Sequence, residues 1–115
     1  MSIKASNVTL NVKDLDNSIQ FYQSIGLTLK HRWGQYYAQM EAPGLVIGLH
    51  PTSGMPNAQN SGNASIGFTA DDFDATKVLL QALNIDISLR IEDGGNFIHF
   101  SDPDGTFLYF IEPKW

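Results

Sequence analysis

Hydrophobic and polar residues alternate through residues 7–12. Val8, Leu10 and Val12 form one face, and Asn7, Thr9 and Asn11 the other, a period of two that predicts a β-strand. The period then changes. Leu15, Ile19, Tyr22 and Ile25 recur at helical spacing, and Asp14 or Asp16 is placed to cap the helix by accepting free backbone N–H groups. Gly26 suits a left-handed stop. Strand-like segments follow at 27–33, 36–40 and 45–50, with turns at Gly34-Gln35 and Ala42-Pro43-Gly44.

The same pattern returns about 58 positions later, near half the chain length. Residues 65–70 lie under the first strand, Asp72 and Asp74 under Asp14 and Asp16, Phe73 under Leu15, and Leu79 under Phe21. Asn84, which tolerates the left-handed region, lies under Gly26. Further strands are predicted at 87–91, 96–101 and 106–111. Asp102-Pro103-Asp104-Gly105 turns between the last two, since proline presets φ and glycine takes the strained end. Each half is therefore a β-α-β-β-β module: about 1–50 and about 64–115, joined by a linker at 51–63 rich in Gly, Pro, Ser and Asn. A single domain is expected over 1–115.

The final strand is apolar on both faces, with Leu108 and Phe110 on one and Phe107, Tyr109 and Ile111 on the other, so both faces should be covered. A helix accounts for one. The opposite face mixes Asn7, Thr9, Asn11, Ser65, Gly67 and Thr69 with Phe97, Phe107, Tyr109 and Ile111. A surface of small polar groups beside aromatics suits the inside of a curved sheet and a small-molecule site. The fold class is thus α+β: two β-α-β-β-β modules forming a curved mixed sheet, a cup, with the helices outside.

Composition narrows the function classes. The chain has 115 residues and no cysteine, which excludes a disulfide framework and thiolate chemistry. No apolar run approaches the roughly 20 residues that span a bilayer, and the N-terminus lacks the core of a signal peptide. A cytoplasmic protein with no membrane partner is expected. The net charge of −5, with scattered basic residues, argues against nucleic acid. The carboxylates fall at helix caps, turns and strand ends: Asp14, Asp16, Asp72 and Asp74 at caps, Asp102, Asp104, Glu92 and Asp93 in turns.

The duplication, the segment Val12-Lys-Asp-Leu-Asp-Asn-Ser-Ile-Gln-Phe-Tyr with Gly26, and Phe100-Ser-Asp-Pro-Asp-Gly together resemble the vicinal oxygen chelate superfamily of glyoxalase I, bleomycin- and fosfomycin-resistance proteins and extradiol dioxygenases. The resemblance covers essentially the whole chain. It implies a divalent metal held by His and Glu side chains at the starts of strands 1 and 5, late in strand 4 and in strand 8. The matching positions here are Asn7, Ser65, Gly48 and Tyr109. None is an imidazole or carboxylate, so the metal centre is expected to be absent and no cofactor is expected. The closest character is that of metal-free bleomycin-resistance-like members. Thr9, Tyr37, Gln39 and His99 match cup positions of the fosfomycin-resistance relatives. The resemblance further implies a homodimer.

The leading expectation is a protein that binds a small organic molecule. Asn7, Thr9, Tyr37, Gln39, Gly48, His50, Ser65, His99 and Tyr109 would supply polar contacts or space, and Phe97, Phe107 and Ile111 an apolar wall. An alternative is a lyase, isomerase or dioxygenase-type enzyme, with an unconventional metal at His50 and His99 or with His99 as base and Tyr109 as acid. A third is a dimeric interaction module without a ligand. Trp33 falls at the cup rim or in the core, the core being the leading expectation, and His31 on the surface. Trp115 is a candidate dimer anchor or a frayed terminal residue.

Overall fold

The alternating stretch forms β1 (Val8–Val12) in the computed structural model, which describes residues 2–52 and 64–114. The helical pattern gives α1 (Leu15–Ser24), then β2 (Thr28–Trp33), β3 (Tyr37–Ala42) and β4 (Leu45–Pro51). The second module repeats the order as β5 (Ile66–Thr69), α2 (Phe73–Ala82), β6 (Ser88–Glu92), β7 (Gly95–Ser101) and β8 (Phe107–Pro113). The predicted β-α-β-β-β duplication is present. Most of the predicted linker, residues 53–63, and Trp115 lie outside the described residues. The chain divides into two compact units, Met1–Pro56 and Asn57–Trp115.

Each unit builds its own four-stranded mixed sheet, ordered β1-β4-β3-β2 in the first and β5-β8-β7-β6 in the second. The topology explains the composition of the strands. β4 sits between parallel β1 and antiparallel β3, and β8 between parallel β5 and antiparallel β7. A central strand has neighbours on both sides and covered faces, so β4 and β8 read as apolar runs. β2 and β6 are edges, exposed along their whole length, and carry the charges Lys30, Arg32, Arg90 and Glu92 that discourage edge pairing.

Asp14 and Asp72 are the helix caps, each accepting from a backbone N–H three residues on at 3.0 Å (Asn17 and Ala75). Asp16 and Asp74 lie instead in the first turns, where their charge favours the positive end of the helix. Gly26 and Asn84 both take positive φ, +117° and +58°, and end their helices as expected. In the first unit, α1 lies against β2, β3 and β4. It buries Leu15, Ile19 and Tyr22 with Val12, Ala38, Met40, Ile47 and Leu49. Full burial stabilises by about 1.5–3 kcal/mol for each large apolar side chain. In the second unit, α2 lies against β8 and buries only Leu80 fully, leaving Val78, Leu79 and Leu83 exposed. The core there is Leu80, Ile98, Phe100 and Leu108, and the Phe100 and Phe110 rings stack at 5.8 Å.

The turn between β7 and β8 is tied by Asp102, a buried residue rather than a simple surface turn position. Its carboxylate accepts from the backbone N–H of Asp104 at 2.9 Å and of Thr106 at 2.8 Å. Its carbonyl accepts from Gly105 at 3.1 Å.

Candidate functional site

In the first unit, pairing places Thr9 opposite Gly48, Gly48 opposite Gln39, and Gln39 opposite His31, a row across all four strands. Trp33 pairs with Tyr37 beside that row. Side chains alternate along a strand, so this row lies on the face opposite Met40, Ile47 and Leu49, which pack toward α1. Here the expected polar residues converge. Asn7, just before β1, donates its amide to the Thr9 hydroxyl at 3.0 Å. Gln39 donates to the Tyr37 hydroxyl at 3.4 Å.

Gly48 makes the convergence possible. A Cβ there would stand 2.8 Å from Thr9 Oγ1 and 2.9 Å from Tyr37 Cζ, and would overlap the Tyr37 hydroxyl. The phenol therefore reaches across the strand and lies over bare backbone. Two hydroxyls and a carboxamide meet on one small patch and offer both donors and acceptors. His50 shares the face of Gly48, pairs with Asn11 and is exposed at the end of β4.

The second unit also sets a tyrosine over a glycine, at different positions of the module. Gly67 of β5 pairs with Tyr109 of β8, and Tyr109 pairs with His99 of β7. A Cβ on Gly67 would fall within the Tyr109 ring. Phe97, His99 and Tyr109 form a triangle of rings with centroids 5.8, 5.9 and 5.7 Å apart, all half-buried. Ile111 pairs with Phe97 and is buried, whereas Phe107 is 45% exposed at the start of β8. Ser65 lies just before β5 and is exposed. By pairing, Thr9 and Gly67 occupy like positions, as do Gly48 and Tyr109, Gln39 and His99, and Tyr37 and Phe97.

The donor set does not fit a divalent metal. Asn7 offers only a neutral carboxamide oxygen, Gly48 has no side chain and is roofed by Tyr37, and Tyr109 covers Gly67. Among the described residues no three His, Asp, Glu or Cys side chains gather closely enough to hold an ion.

One sequence expectation is corrected. Trp33 is not in the core: it is 49% exposed on the sheet face with Tyr37, their ring centroids 5.4 Å apart. His31 is exposed on the surface as expected, and its ring lies 5.5 Å from that of Trp33. The cause is a bulge in β2 between Leu29 and His31, which resets the alternation. The strand's sequence carries no glycine or proline to signal it.

The sequence profile of the Glyoxalase/Bleomycin resistance protein/Dioxygenase superfamily matches residues 4–110. An uncharacterized protein of Mycolicibacterium smegmatis is 29% identical over 75 residues, 65% of this chain and 62% of that protein. The chain thus matches under two thirds of the length of that curated relative. The fosfomycin resistance protein FosX of Listeria monocytogenes, in complex with Mn(II) and a sulfate ion, superposes with a TM-score of 0.79. It is 22% identical, over 99% of this chain and 93% of its own. A bleomycin-binding protein complexed with bleomycin superposes with a TM-score of 0.74. It is 19% identical, over 97% of this chain and all of its own. Among the described residues no helix is long and apolar enough to cross a membrane.

Proposed function

The chain belongs to the glyoxalase/bleomycin resistance protein/dioxygenase superfamily, and from that membership we propose that it binds a small organic molecule without a divalent metal. The observation that carries the proposal is the meeting of the Thr9 and Tyr37 hydroxyls over Gly48, with Gln39 beside them. A glycine roofed by a phenol leaves polar groups at the sheet surface and no anionic ligand for a cation. Hydrogen bonding to those groups suffices for capture. Sequestration needs no nucleophile and no acid–base step. The fold neighbours include one protein that holds bleomycin, which supports a binding role. We take the two units as modules of one domain and the protein as a cytoplasmic homodimer; light scattering tests the dimer.

A thermal-shift screen of a metabolite and antibiotic library, followed by amide chemical-shift mapping, tests the binding role. Hits are expected to raise Tm and to shift Thr9, Gln39 and Gly48. A library that yields no ligand, or ligands that map only elsewhere, overturns it.

A second reading, a metal-free enzyme, has its own observation. His99 and Tyr109 occupy paired positions with rings 5.7 Å apart, a base and an acid side by side. The imidazole takes a proton, and the phenol returns one. If a turnover is found with a ligand from the screen, His99→Ala must abolish it; unchanged turnover removes this reading.

A further inference from the structure

We propose that the bulge in β2 builds a stacking platform for a planar, uncharged aromatic ligand from His31, Trp33 and Tyr37. The proposal rests on the binding role above and specifies the ligand class at that same face. Thr28 pairs with Glu41 and Leu29 with Met40. Regular pairing beyond them would set Lys30 opposite Gln39 and Arg32 opposite Tyr37, placing two cations on the polar face. The extra residue shifts the register, so that His31 faces Gln39, Arg32 faces Ala38 and Trp33 faces Tyr37. One inserted residue thereby exchanges two cations for two aromatic rings.

The geometry of the exchange is consistent on both faces. On the polar face the rings form a continuous series, His31 to Trp33 at 5.5 Å and Trp33 to Tyr37 at 5.4 Å, within the range of aromatic pairing. Trp33 remains half exposed, so one large π-surface is open to a ligand. On the other face Arg32 is fastened down: its guanidinium reaches Asp16 at 2.6 Å and the Gly34 carbonyl at 2.8 Å. Lys30 sits 3.8 Å from Glu41, which by alternation shares the polar face with Tyr37 and Gln39. Arg32 is thus held off the platform, and Lys30 is balanced by a carboxylate. An anionic ligand finds no free cation from β2 there. Tyr37 belongs both to the ring series and to the hydroxyl pair over Gly48, so a ring on Trp33 brings its polar substituent to Tyr37 and Gln39.

The test is an amide chemical-shift titration with three probes that share a bicyclic skeleton. They are 2-naphthol, its saturated counterpart decahydro-2-naphthol, and naphthalene-2-sulfonate. 2-Naphthol is expected to shift Gln39 and Gly48 and to bind about tenfold or more tighter than either of the others. Trp33→Ala is expected to lower 2-naphthol affinity about tenfold. Trp33→Phe, which keeps a ring, should hold it within about threefold, and deletion of Lys30, which removes the bulge but leaves His31 opposite Gln39 and Trp33 opposite Tyr37, should preserve the preference for the flat ring. Trp33 is exposed, so these substitutions leave the core intact. Equal binding of the saturated probe, or full affinity in Trp33→Ala, overturns the platform. Such a result leaves the binding role standing, because that is judged by the wider library. Equal binding of the sulfonate overturns the charge preference. Light scattering on Trp33→Ala supplies the last arm: conversion of a dimer to a monomer would mark the ring series as a contact between two copies and overturn the proposal.

Discussion

The ring of Tyr109 lies directly over the Cα of Gly67 on the neighbouring strand, in the space a β-carbon would occupy. In the other module the hydroxyl end of Tyr37, from β3, lies in the corresponding space over Gly48 of β4. The duplicated units thus each place a tyrosine over a glycine, at different positions of the module. Adding a methyl group under either ring forces a shift, and overpacking of this kind costs about 1–3 kcal/mol. Gly67→Ala is expected to lower the unfolding free energy by that amount in urea titration. Combining it with Tyr109→Leu should recover much of the loss, a coupling that a double-mutant cycle reads directly. Additive effects would show that the ring does not occupy that space.

Tyr37→Phe removes one hydroxyl at the surface of the sheet without disturbing the core. Stability is expected to change by less than about 0.5 kcal/mol, as for other surface changes. Affinity for a ligand that maps to Gly48 should fall about 5–10-fold, the value of one neutral hydrogen bond. Calorimetry checks both in one sample set.

Asp102 accepts two backbone N–H groups while buried, so truncation leaves both donors without a partner. Asp102→Ala is expected to destabilise by about 2–4 kcal/mol, 1–3 for each orphaned donor with some relief from water. Asp102→Asn, which keeps an acceptor oxygen, should cost clearly less. Equal losses in the two variants would show that the turn is held by its backbone alone.

The two charged contacts of α1 should differ in effect. Asp14→Ala removes the N-cap and is expected to cost about 1 kcal/mol. Asp16→Ala breaks a well-formed but solvent-exposed pair with Arg32 and should cost about 0–1 kcal/mol, less at high salt. Thermal unfolding at two ionic strengths separates them, since the cap is nearly salt-independent.

Ligand binding is expected to be indifferent to metal. Dialysis against a chelator, or addition of Mn(II), should leave the affinity and Tm unchanged, because Asn7, Gly48, Ser65 and Tyr109 supply no anionic or imidazole donor. A stoichiometric metal in purified protein, with Tm falling on chelation, would contradict the metal-free proposal.

Much was legible in the chain itself. The change of period at Val12 and Leu15, its return at Phe73, and the pairs Asp14/Asp72 and Gly26/Asn84 encode the two modules locally, because caps, stops and alternation act over only a few residues. The apolar runs of β4 and β8 marked the strands that end up with neighbours on both sides. Tertiary structure decided what local signals cannot: how two strands slide against each other. The register of β2 against β3 turns on one extra residue at Lys30, and a shift of one place sends every later side chain to the opposite face. Strand pairing therefore moved Trp33 out of the expected core, raised His31 from a plain surface residue to part of a ring series, and turned Arg32 toward Asp16. The roofing of Gly48 by Tyr37 likewise exists only across strands, since the two are distant in sequence and meet because β3 and β4 pair.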